Sequence, residues 1–134
     1  MSRTFVRVNG IGLAVEQRGE TSNRDQTLVL LHGFTGSAAS WGQHLDTLAE
    51  YGLHIIAIDL HGHGQSDAPE DPARYSIERH QNDILAALQA MEVHEGHAIL
   101  LGYSMGGRIG LYTAFSGFFR ALILESASPG IENI

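Results

Sequence analysis

The sequence predicts an α/β fold, an N-terminal hairpin followed by a mainly parallel sheet with helices on both faces. Asn9-Gly10 separates two β-prone segments, residues 4–8 and 13–17, and Asn-Gly is the strongest short hairpin signal. The continuous apolar runs "TLVLLHG" (27–33), "LHIIAID" (53–59) and "HAILLGY" (97–103) have the composition of strands buried on both faces. Segments with apolar residues at helical spacing alternate with these runs, as strand-helix-strand units require.

In order along the chain, "TSNRDQ" (21–26) is a polar loop leading into the first central strand. Trp41, Leu45 and Leu48 repeat at helical spacing, predicting a helix over 37–51 that Gly52 is placed to end. The second buried strand opens into the Gly/His/Pro-rich loop 60–75, long enough to be functional. Ser76 can cap a helix carrying Ile77, Ile84, Leu88 and Met91 on one stripe, and the third buried strand follows. A further apolar-striped helix runs to about residue 115, and "RALILES" (120–126) is the last strand. With no internal repeat, low-complexity tract or linker, residues 1–134 read as a single domain or part of one.

Composition narrows the function. The chain is 43% hydrophobic and 17% charged, the balance of a soluble globular protein. Its formal charge of -7 and its 8 scattered Lys and Arg give no phosphate-tracking surface, which argues against nucleic acid as a partner. There is no cysteine for a disulfide or a thiolate nucleophile, and no apolar stretch of signal-peptide or membrane-span length, so the expectation is a cytoplasmic protein without a membrane partner. No dinucleotide fingerprint occurs, and no cofactor is expected.

The chemistry concentrates at Gly102-Tyr103-Ser104-Met105-Gly106, a Gly-x-Ser-x-Gly motif with a strand directly before it and a helix directly after it. Such a turn strains the serine backbone, points the hydroxyl away from the sheet and leaves no room for side chains at Gly102 and Gly106; Gly107 adds further room. The alternative is a serine that merely caps its helix. "HGF" (32–34) follows the first central strand, where a second backbone donor to an oxyanion is needed, so the N–H groups of Phe34 and Met105 are the assigned donors. His32 is expected to orient that loop, beside Gly33. In "DLHGHGQSD" (59–67), His61 and His63 point apart in an extended loop and no matching ligand set follows, so the segment reads as a turn scaffold on the pocket floor and no metal is expected. Arg108 stands one helical turn beyond Ser104, where its planar donor fork can reach back toward the pocket mouth and suits a substrate carboxylate, the alternative being a solvated helix arginine. Tyr103 offers either a polar contact or simple core packing.

Together, "LLHGFTGS", "DLHGHGQSD" and "GYSMGG", in this order and separation, resemble the N-terminal half of an α/β-hydrolase-fold protein. Within that superfamily "HGFTGSAASW", "GYSMGGRIGLY" and "LILESASPGIEN" are similar to the 2-succinyl-6-hydroxy-2,4-cyclohexadiene-1-carboxylate synthases of menaquinone biosynthesis. The resemblance implies a lyase that eliminates pyruvate from a polyanionic cyclohexene, with Ser104 as base, the Phe34 and Met105 amides holding the oxyanion, and Arg108 binding a carboxylate of a small anionic substrate. A carboxylic-ester hydrolase of the same fold and a non-catalytic α/β module are the alternatives.

The family's serine takes its acid and its histidine from later in the chain. All 8 histidines lie between His32 and His97, before Ser104, and only Glu125 and Glu132 follow it as acids. The expectation is therefore an incomplete domain, an N-terminal fragment without the lid and final strands, inactive on its own and with "RALILES" as a sheet edge.

Overall fold

The computed structural model describes residues 2–19 and 25–126. Most of the 21–26 loop, residues 127–130 of "ESASPG", and Glu132 lie outside the described residues. The hairpin is present: β1 (Ser2–Val8) and β2 (Ile11–Arg18) pair antiparallel, with Val8 opposite Ile11. Asn9 and Gly10 both take positive φ, 49° and 85°, which matches the tight turn that Asn-Gly favours.

Four strands follow, β3 (Thr27–Leu31), β4 (His54–Ile58), β5 (Ala98–Tyr103) and β6 (Ala121–Glu125), giving one six-stranded sheet in the order β1-β2-β4-β3-β5-β6. The pairs β3–β4, β3–β5 and β5–β6 are parallel, whereas β2 runs antiparallel to β4. Alternate residues of β3 and β4 serve two cores. Val29, Leu31, Ile56 and Ile58 join one cluster, and Leu28, Leu30, Ile55 and Ala57 join the other. That division explains why these strands read as unbroken apolar runs.

Helices α2 (Ile77–Ala90) and α3 (Met105–Ala114) carry Ile84, Leu88 and Ile109 into the first cluster, and α1 (His44–Ala49) carries Leu45 into the second. Ser76 caps α2 as predicted, its Oγ accepting from the Arg79 N–H at 3.3 Å. The helix predicted over 37–51 is broken into a 3-10 turn (Ala38–Trp41) and α1. Gly42, at φ 52°, leaves helical backbone, and Ser37 and Ser40 close a capping box on the short first turn. Trp41, Leu45 and Leu48 still pack on one cluster, so the periodicity marked the buried face and missed the break.

β6 lies at the sheet edge with Ile123 and Leu124 exposed (48% and 41%). The chain goes from β3 to β4 on one side and later to β5 on the other. A crevice therefore opens between β3 and β5 at their carboxyl ends, where open α/β sheets hold their ligands.

Candidate active site

Both predicted motifs reach that crevice. Leu31 pairs with Gly102 in register, so the loop leaving β3 and the turn leaving β5 start side by side. A Cβ on Gly106 would overlap the carbonyl oxygens of Leu31 and His32, and one on Gly102 would stand 2.6 Å from the Gly107 Cα. Both clashes are with main chain, which cannot swing aside. The three glycines thus bring strand, turn and helix together at backbone distance.

Ser104 has φ 53° and ψ -114°, on the positive-φ side that a residue with a side chain adopts only at a cost. It stands at the N-cap position of α3 but, unlike Ser76 on α2, makes no side-chain capping hydrogen bond there. Its N–H donates to the Glu125 carbonyl at 2.9 Å, and its own carbonyl accepts from the Arg108 N–H at 3.1 Å. Met105 opens α3, so its N–H lies in the first turn, where helix amides have no intrahelical acceptor.

The loop after β3 meets this turn at Gly33, where an added methyl would touch Tyr103 Cδ2 at 3.1 Å and Ser104 Cβ at 3.5 Å. The Gly33 carbonyl accepts from His32 Nδ1 at 2.7 Å and from the Gly36 N–H at 3.0 Å. That carbonyl and the Phe34 N–H belong to one planar trans peptide and point in opposite directions, so two donors on the oxygen fix the direction of the N–H. His32 is buried, and its Nε2 accepts from the Leu60 N–H at 3.0 Å, which assigns the ring proton to Nδ1. Burial, reinforced by the neighbouring His63, holds His32 below the ordinary histidine value and keeps it neutral, against smaller opposing effects of the Gly33 hydrogen bond and Asp59. Phe34 is 72% exposed, its ring edge-on to His63.

A cavity of about 560 Å³ adjoins the turn, lined by His32, Gly33, Phe34 and Tyr103 together with Thr35, Ser40, Trp41, His44 and Glu125. Tyr103 is 44% exposed there, so it is not core. Ser40 and Trp41, in the 3-10 turn, and His44, which opens α1, also line the cavity, and no motif in the sequence singles them out. Arg108 is exposed on α3, without an ion pair among the described residues, and does not line the cavity.

His61 and His63 part as expected, but neither lines the cavity floor. His63 packs on His32 and Phe34. His61 is buried with Nε2 2.9 Å from the Arg74 carbonyl, Nδ1 3.1 Å from Asp83 and its ring stacked on His80. Burial alone would raise Asp83, but hydrogen bonds from His61, Arg74 and Asn9 outweigh it and bring the carboxyl down to about 2. His80 is lowered to about 4, first by burial and then by His61. Among the described residues no cluster of three or more His, Asp or Glu side chains is placed to hold a metal ion, and no helix is long and apolar enough to cross a membrane.

A family model described as the alpha/beta hydrolase fold matches residues 26–132. The chain belongs to the alpha/beta hydrolase fold family. Among α/β-hydrolase relatives, a Bacillus subtilis (strain 168) protein provisionally named 2-succinyl-6-hydroxy-2,4-cyclohexadiene-1-carboxylate synthase is 38% identical over 128 residues, covering 94% of this chain and 44% of that protein. A proline iminopeptidase of Saccharolobus solfataricus is 31% identical, covering 98% of this chain and 47% of its own. Among solved α/β-hydrolase structures, an epoxide hydrolase from Vigna radiata superposes with a TM-score of 0.83 at 28% identity, covering 92% of this chain and 39% of that one. The chain thus spans less than half the length of these relatives.

Proposed function

We propose that Ser104 is the reactive serine of an α/β-hydrolase-fold lyase that eliminates pyruvate from a small, polyanionic cyclohexene. The observation that carries the reading is a serine at φ 53° with an uncapped side chain, set between Gly33 of the "HGF" loop and the first turn of α3. In this reading Ser104 Oγ accepts the substrate proton, and the Phe34 and Met105 N–H groups stabilise the negative charge that develops on oxygen. Arg108 binds a carboxylate at the mouth of the site. Similarity to the provisionally named synthase supports the substrate class. No histidine follows Ser104 among these 134 residues, so in this reading the histidine that activates the serine lies outside them.

The test is pyruvate release by the intact protein from the cyclohexene substrate. Ser104→Ala abolishes it, and Arg108→Ala lowers kcat/KM by roughly tenfold or more, the value of a charged hydrogen bond. An unchanged rate in Arg108→Ala removes the arginine from the substrate site. The same serine and donors also suit acyl transfer, so carboxylic-ester hydrolysis is the second reading, favoured by ester turnover with a trapped acyl-Ser104.

A further inference from the structure

One buried carboxylate gathers three segments around the loop that carries Phe34. Asp59 directly follows β4 and is 1% exposed. Its Oδ1 accepts from the Ala38 N–H at 2.6 Å, and its Oδ2 accepts from the Gln65 N–H at 2.9 Å and from Arg3 Nη1 at 3.2 Å. Gly64, at φ 53°, brings its backbone so close that a Cβ there would overlap the same carboxylate. A buried carboxylate is tolerated when hydrogen bonds and a cation balance it, and Arg3 is the cation.

Arg3 is an unexpected contributor, because it sits on β1, with β2 between that strand and β4. It is itself held from behind. Its Nε meets Glu16 at 2.9 Å, Glu16 meets Arg18 at 3.3 Å, and Arg18 meets Asp46 of α1 at 2.7 Å. Charges of alternating sign therefore run from α1 across the antiparallel strands to Asp59. At the far end, Ala38 begins the 3-10 turn that closes the loop, four residues beyond Phe34.

We propose that Arg3 is a positioning residue for the oxyanion loop, acting through Asp59 on the Ala38 N–H and thereby on the peptide that presents the Phe34 N–H. The proposal rests on the reading of Phe34 as an oxyanion donor. It makes the hairpin part of the catalytic frame and gives the N-terminal strand a role beyond completing the sheet.

Amide hydrogen exchange and proton–nitrogen correlation spectra of the protein test it in Arg3→Met, Arg3→Lys and Arg7→Met, the last removing an equal charge from the same face of the strand, four residues further on. In Arg3→Met the Ala38 amide exchanges at least about tenfold faster and the Phe34 amide resonance moves, while core amides such as Leu100 keep their rates. Arg3→Lys restores most of the protection, and Arg7→Met changes neither amide. Unchanged Ala38 exchange in Arg3→Met, or equal acceleration of Ala38 and Leu100, overturns the proposal. These readouts need no turnover, so an unreactive Ser104 would sink the functional reading and leave the structural role of Arg3 decided separately. In the active protein, Arg3→Met lowers kcat with little change in KM, and an effect confined to KM counts against it.

Discussion

The Ser104 N–H donates to the Glu125 carbonyl at 2.9 Å, which ties the turn after β5 to the last residue of the edge strand β6. Because the Ser104 carbonyl also accepts from the Arg108 N–H, the serine's two backbone groups are engaged on both sides of its strained φ. The strain is held by neighbours, so relieving it should raise stability.

Ser104→Gly accordingly stabilises the fold by about 0.5–1 kcal/mol, the relief of positive φ less the entropic cost of glycine. Ser104→Ala retains the strain and stays within about 0.5 kcal/mol of the parent. Urea unfolding of both variants measures the difference, and both lose activity.

Gly106→Ala drives a methyl into the carbonyls of Leu31 and His32 and destabilises by about 3 kcal/mol or more. Gly110→Ala is the contrast. Its methyl would stand 3.4–3.7 Å from Leu100 and Leu122 side chains, ordinary contact, so helix propensity decides and stability rises by up to about 1 kcal/mol. Thermal denaturation of the pair separates close approach from mere flexibility.

Stability falls as pH drops from about 6.5 to about 4. His80 titrates near 4 when folded and at its ordinary 6.5 when unfolded, so the unfolded chain binds more protons within that window. The contribution is complete above the window, is lost through it and amounts to roughly 3 kcal/mol at most. His32 is lowered by burial and shares the direction. His80→Phe, which keeps a ring against His61 and removes the unpartnered Nδ1, flattens the slope measured by urea midpoints across these pH values.

Arg74→Met costs about 3 kcal/mol. The guanidinium meets both Asp83 oxygens at 2.9 Å with the carboxylate buried, and removing one partner of such a pair leaves a poorly balanced charge. The double variant Arg74→Met/Asp83→Leu recovers part of the loss, and a double-mutant cycle on unfolding free energies reads the coupling.

The hairpin, the two-faced strands and the need for Gly102 and Gly106 were legible in the sequence because each follows from local rules, namely turn chemistry, periodicity and missing side chains. The break at Gly42 was not, since a lone glycine inside a helical pattern is often tolerated and a capping box of Ser37 and Ser40 is a weak signal. His61 with Asp83, and Arg3 with Asp59, join residues far apart in the chain, and no spacing encodes such pairs. At the site, Ser104, Gly33 and Tyr103 were readable and do converge, whereas Ser40, Trp41 and His44 came to the cavity through tertiary folding. Asp59 had a faint signal, an acid closing an apolar strand before "HGHG", that the motif reading passed over.

The meeting of β3 with α3 at Gly106 is a contact of main chain with main chain, and it separates what can evolve from what cannot. Side chains that line the crevice, Tyr103 and His44 among them, take no part in that main-chain contact. Relatives bearing the names of a synthase, an iminopeptidase and an epoxide hydrolase fit that separation. New selectivity can arise here one residue at a time, while a single methyl group at position 106 closes the route.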